Sequence, residues 1–409
     1  MSKFIRELGK IAVPVTLQSM LQASFSIVDQ IMIGQLGAVS IAAVGLGGNY
    51  SMIFNVVSGS VGTVAGILIA QFLGAGDKKE AWSSLTLSTV ISLCLAGVFL
   101  GVSLGATAQI LGLYTKDAAI IAEGCVYFKI IAFSFAPMGL STVLSAWLRC
   151  RGHANIPFAA SIGAVLSNVV LNYVLIFGKL GLPAMGIAGA AIASSASEMI
   201  SMVFFIVYTR LRIDHRKYGL FRFAGFSSKL LRGMLNVSVW TMIQMFVAIS
   251  TWFFFFIAVE HLGERPLAVT NIIRSVSGIV FVIVSSFAST ASTLVSNQMG
   301  AGQPELVAGT TRRIVGMCYL IVIPLLALFA VFPELILRIY TDEQSLIDGS
   351  VASMRVMLSS YLISVPAFIR FNVVSGTGNT RSALMLELAT LSVYAIYTVW
   401  IVLYRHSDV

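Results

Sequence analysis

Asp29 is a carboxylic acid set in a long apolar run. Gln18, Gln22, Ser26 and Asp29 follow one another at spacings of four, four and three residues. On a helix they form a single polar stripe. A stripe of this kind is unstable against lipid, so it is expected to line a cavity, and an intramembrane carboxyl is the type of group that relays protons or ions. Asp29 lies past Lys10 by about 28 Å of helix at 1.5 Å per residue, in the outer half of a span. Pro14 in the same run removes a backbone hydrogen bond and marks a bend or hinge. Asn168 and Asn172, four residues apart, share another helix face at comparable depth. An amide can hydrogen-bond a carboxyl in either protonation state, which suits a group that gains and loses a proton. Glu198, among Ser194, Ser195, Ser197 and Ser201, is a second candidate for a buried carboxyl. The alternatives stay open: an interfacial Asp29 that meets water, and asparagines that only tie helices together.

Enzymatic constellations are absent from this pattern. His153, His215, His261 and His406 fall in loops or at the tail, which leaves no buried His–carboxylate pair for acid–base work. No Gly-rich Lys-Ser/Thr loop cradles a phosphate. Cys94, Cys125, Cys150 and Cys318 share no metal-ligand spacing. No enzyme activity, metal or cofactor is expected, and any transport must draw on an ion gradient.

The elements that hold these residues follow from composition. The chain has 409 residues, of which 57% are hydrophobic and only 11% charged. Soluble domains average about 25% charged residues, so a cytosolic enzyme, a disordered chain and a nucleic-acid-binding domain are excluded. An all-α membrane protein remains. Eleven stretches are long enough to span a bilayer: 11–34, 41–72, 85–111, 122–147, 157–178, 185–209, 235–259, 267–298, 314–338, 349–373 and 382–404. The break after the sixth carries Arg210, Arg212, Arg216, Lys217, Arg222, Lys229 and Arg232. It separates an N-terminal bundle (1–212) from a C-terminal bundle (234–409), with 213–233 as a cytoplasmic linker.

The halves repeat at an offset of 226 residues. Gly74-Ala75-Gly76 falls on Gly300-Ala301-Gly302, Tyr114-Thr115 on Tyr340-Thr341, Gln18 on Gln244 and Gly152 on Gly378. The counterpart of the sixth span would begin near 411, so the second bundle is expected to be short by its last helix. An even number of spans per half makes the repeats parallel. Basic residues concentrate on the N-terminus, the 210–232 break and alternate loops, which places the N-terminus in the cytoplasm and explains much of the net charge of +9 without a nucleic-acid partner. Arg274, Arg355 and Glu387 lie inside spans and are ambiguous between buried and interfacial.

The segment Val28-Asp29-Gln30-Ile31-Met32-Ile33-Gly34-Gln35-Leu36-Gly37, the repeated Gly-Ala-Gly, Arg149-Cys150-Arg151-Gly152 with the downstream Asn168 and Asn172, and Gly376-Thr377-Gly378-Asn379-Thr380 together resemble the multidrug and toxic compound extrusion (MATE) family, in its DNA-damage-inducible branch. The resemblance covers essentially the whole chain. It implies two six-helix bundles around a V-shaped cleft, in the plasma (inner) membrane, exporting amphipathic, often cationic compounds in exchange for H+, with Na+ as the other possible ion. It assigns ion coupling to Asp29, Asn168 and Asn172. Many relatives have a second Asp where this chain has Asn172. Cavity lining is expected from Gln18, Gln22, Ser26, Glu198 and Gln244, and the hinge at Pro14. The expected partners are a small-molecule substrate and the bilayer, and the expected state is a monomer. The alternatives are a lipid-linked saccharide flippase of the same superfamily, which would need interior basic groups, and a truncated remnant that does not transport.

Overall fold

The computed structural model describes residues 2–212, 228–260, 263–341 and 343–400. The side chains of 2–7, 23, 25–27, 212 and 229 are outside that description. The described chain is helical and divides into two compact units, Met1–Met234 and Leu235–Val409.

The first unit runs α1 (Ser2–Gly34), α2 (Ala38–Gly74), α3 (Lys78–Gly105), a short α4 (Thr107–Tyr114), α5 (Ala118–Ile131), α6 (Phe135–Cys150), α7 (Asn155–Phe177) and α8 (Gly186–Arg212). A single 3-10 turn, Ala132–Ser134, joins α5 to α6 into one crossing. Pro137 explains the turn: it has no N–H to give the carbonyl of Phe133, and its ring crowds that carbonyl. The second unit runs α9 (Ser228–Glu260), α10 (Glu264–Gly300), α11 (Glu305–Val331), a short α12 (Pro333–Leu337), α13 (Gln344–Gly376) and α14 (Thr380–Trp400). Residues 228–233, expected in the linker, are the first turns of α9, and 213–227 lie outside the described residues. Ten helices among the described residues are long and apolar enough to cross a membrane, and α1 covers the remaining predicted span.

The repeat read from the sequence reappears in the helix ends. α2 and α10 begin and end 226 residues apart, as do the α5–α6 crossing and α13. The backbone repeats as well. Gly37 and Gly263 have φ of 101° and 113°, and Gly152 and Gly378 have 76° and 88°. A side chain is strained at these angles, which accounts for glycine at both copies of each turn.

Packing inverts the soluble pattern. On α7, Leu166 is 62% and Val170 59% exposed, while Asn168 and Asn172 are 1% and 0% exposed. Apolar side chains face outward toward lipid and the amides face inward. The neighbour that receives them is α8, whose Gly189, Ala190, Ala191 and Ala193 present little bulk. A Cβ on Gly189 would lie 2.7 Å from the Leu175 carbonyl, so only glycine permits this approach of α7 to α8. α1 packs against the other side of α7.

Candidate functional site

The buried amides of α7 meet α1 on one side and α8 on the other. Asn172 Nδ2 donates to Asp29 Oδ1 at 2.7 Å and to Asn168 Oδ1 at 2.6 Å. Asn168 Nδ2 in turn donates to Ser194 Oγ at 3.2 Å and Ser197 Oγ at 3.3 Å. Asp29, Asn172, Asn168 and the α8 serines thus form one hydrogen-bonded chain across three helices. Asn172 Oδ1 is buried and accepts nothing. Tyr127 of α5, itself buried, lies within electrostatic reach of Asp29. A carboxyl held by an amide at the edge of a buried network can be ionised or protonated without breaking the helix contacts around it.

Further along α1, Gln18 and Gln22 line a cavity of about 490 Å³ together with Ser161, Ser197, Glu198 and Arg149. Gln18 Nε2 donates to Ser161 Oγ at 3.0 Å, which ties α1 to α7 at this level too. Ser197 belongs to both features: it accepts from Asn168 and forms part of the cavity wall. The Asp29 network and the cavity are therefore contiguous through α8. The cavity carries one acidic group, Glu198, and one basic group, Arg149. Its volume and mixed polarity suit an amphipathic small molecule.

The structure brings Asp29, Asn168 and Asn172 to one hydrogen-bonded site, and Gln18, Gln22 and Glu198 to one cavity. Pro14 lies inside the continuous helix α1. The side chain of Ser26 is outside the described residues. Gln244 lies on α9 in the second unit, within side-chain reach of Glu387 on α14. Arg149, at the end of α6, also lines the cavity. Asn55, a polar residue in the middle of α2, also lines it; its place in an apolar span was a usable signal that the stripe on α1 overshadowed.

Other charged groups have structural explanations. Asp77 caps α3 by accepting from the Glu80 N–H at 3.0 Å, and Asp117 caps α5 by accepting from the Ala119 N–H at 2.8 Å. Arg274 is exposed and stacks over the rings of Trp252 and Phe256 at 5.7 and 5.2 Å. His153 sits in the loop between α6 and α7, and burial together with the charges of Arg151 and Lys10 pushes its pKa below the usual 6.5.

Membrane-crossing helices in two sequence repeats, with a carboxyl–amide site beside a cavity, are the signature of a transporter fold. The MatE family profile matches residues 14–174 and again 241–401, so each repeat is matched separately, and the chain belongs to the MatE family of membrane transporters. It is 25% identical over 390 residues to the "Probable multidrug resistance protein NorM" of Thermotoga maritima, covering 94% of this chain and 83% of that one. It is 26% identical over 341 residues to the protein of the same name from Agrobacterium fabrum, covering 82% and 72%. In fold it is similar to a MOP superfamily transporter from Pyrococcus furiosus, with a TM-score of 0.88 and 19% identity, covering 99% of this chain and 90% of that one.

Proposed function

We infer that this chain is an H+-coupled antiporter that exports amphipathic, cationic drugs or metabolites across the plasma membrane, with its N-terminus in the cytoplasm. The observation that carries the reading is the 2.7 Å contact between Asn172 Nδ2 and Asp29 Oδ1 at the end of a network that reaches the cavity wall.

The ionised carboxylate accepts from Asn172 and adds negative potential to the first unit, where Glu198 already favours a cation. A proton on Asp29 removes that charge and turns an acceptor into a donor. When that donor turns to Asn172 Oδ1, which has no partner, the Asn172–Asn168–Ser197 chain rearranges and Ser197 carries the change to the cavity. α1 is the element free to follow, because Pro14 breaks its backbone ladder between Gln18 and the N-terminus. Substrate binding and protonation thereby oppose each other, the condition for exchange.

Na+ is the second candidate ion. It needs several oxygens turned to one point, whereas Asn172 presents its N–H to Asp29, which favours the proton. The flippase reading needs several interior basic groups; Arg274 and Arg355 are both exposed, which leaves Arg149, with Glu198 on the same wall, as the basic group of the first-unit cavity. The relatives' names as multidrug resistance proteins support the substrate class.

The test is efflux of ethidium from proteoliposomes under an imposed pH gradient, without Na+. Efflux in the wild type that collapses with nigericin and is lost in Asp29→Asn supports the reading. Efflux that requires Na+ and ignores the pH gradient contradicts it.

A further inference from the structure

The repeat gives the first-unit cavity a counterpart. A cavity of about 480 Å³ lies within the second unit between α13 and α14. Moved by 226 residues, part of its wall coincides with the α6 and α7 wall of the first cavity: Ser364 falls on Met138, Phe368 on Thr142, Phe371 on Ser145, Glu387 on Ser161 and Leu391 on Val165. The glutamine that faces this position repeats too. Gln18 donates to Ser161, and the Gln244 side chain lies within reach of Glu387. The hollow is conserved between the two units while its chemistry is changed. Two hydroxyls of the first have become phenyl rings, and the hydroxyl that meets the glutamine has become a carboxyl.

Glu387 lies seven residues into α14, about 10 Å along the helix, and its Oε2 is buried without a hydrogen-bond partner. A carboxylate in this position is costly unless a cation or proton meets it. The rings beside it are held in place: Phe368 packs on Phe281 with centroids 5.3 Å apart. Arg370 also contributes to the cavity wall and is exposed. Among the described residues no cluster of His, Cys, Asp and Glu could hold a metal ion, so one carboxylate in a cavity that two phenyl rings also line points to an organic cation.

We propose that the second-unit cavity is a separate binding site for an aromatic monocation, with Glu387 as its counter-ion, Phe368 and Phe371 as its walls, and Gln244 positioning the carboxylate. Rings supply both apolar contact and attraction to a cation, and the volume is in the range of small-molecule sites. The site shares no residue with Asp29 or its network, so it goes beyond the coupled export reading and does not depend on it.

The experiment is photolabelling of the purified full-length protein with ethidium monoazide, followed by peptide mapping by mass spectrometry. Wild type should carry label on peptides containing 364–371 or 386–391. Glu387→Gln should lower that label at least fivefold and leave first-unit label unchanged, Glu387→Asp should restore most of it, and Asp29→Asn should retain it fully. Gel filtration of each variant reports folding. Unlabelled second-unit peptides in the wild type, or equal label in Glu387→Gln, overturns the site. So does failure of a monodisperse Glu387→Asp to recover it. Loss of transport in Asp29→Asn with second-unit label intact separates this site from the coupling mechanism.

Discussion

Asn172 directs one amide nitrogen at two acceptors, Asp29 Oδ1 at 2.7 Å and Asn168 Oδ1 at 2.6 Å, while its own carbonyl oxygen stays buried with no donor. The amide thus donates to Asp29 and keeps its own acceptor unused. The idle oxygen is the acceptor that a protonated Asp29 would use once the amide turns, and turning it reverses the donor that Asn168 now meets. A two-state polar chain of this kind transmits a protonation event over several residues without large backbone movement.

Asn172→Leu keeps the volume and removes both functions of the amide. Proton-driven ethidium efflux should fall at least tenfold. Unfolding free energy should fall by about 1–3 kcal/mol, because Asn168 and Asp29 lose a buried partner. Proteoliposome transport and thermal unfolding of the purified variant check both. Asn168→Leu should behave the same way, since it removes the link to Ser194 and Ser197.

Glu198→Gln removes the acidic group of the first cavity and leaves the Asp29 network untouched. The KM for ethidium should rise at least fivefold while the dependence of transport on the pH gradient is kept. A lost pH dependence with unchanged KM would move Glu198 from substrate recognition to coupling.

Gly189→Val places a side chain against the Leu175 backbone, 2.7 Å from where its Cβ would start. α7 and α8 must then separate, at a cost of about 1–3 kcal/mol for overpacking. Transport should fall with stability, because Asn168 loses its reach to the α8 serines. Gly163→Val, at a position with nothing within 4 Å of the added Cβ, is the control and should leave unfolding unchanged.

Much of this was written in the residue order. The polar stripe on α1, the i,i+4 amides on α7 and the 226-residue offset are periodicities, and a helix turns periodicity directly into a shared face. The pairing of Asp29 with Asn172 was accessible because both lie at one depth in their spans. Likeness to Gln18 gave the place of Gln244 within its own repeat, and that likeness does not say which wall the side chain faces. Arg149 was missed because a basic residue at a helix end reads as an orientation signal, and whether it turns into a cavity depends on how the helices pack.

His153 tests the electrostatics of the loop between α6 and α7. Its pKa is held below 6.5 by burial and by the charges of Arg151 and Lys10. The unfolded chain therefore binds its proton more readily than the folded one, and stability falls as pH drops through the unfolded value. His153→Gln should make the melting temperature less sensitive to acid between about pH 7 and pH 5, with transport at neutral pH unchanged. An unaltered slope would mean that the loop does not hold the imidazole neutral.

Proton release on substrate binding bears most directly on the role of Asp29. Purified protein in weakly buffered solution, mixed with ethidium in the presence of a pH-sensitive dye, should release about one proton per ethidium bound, because coupling between two ligands is reciprocal. Asp29→Asn should bind ethidium and release none. Equal proton release from wild type and Asp29→Asn would contradict the assignment of coupling to the Asp29–Asn172 pair.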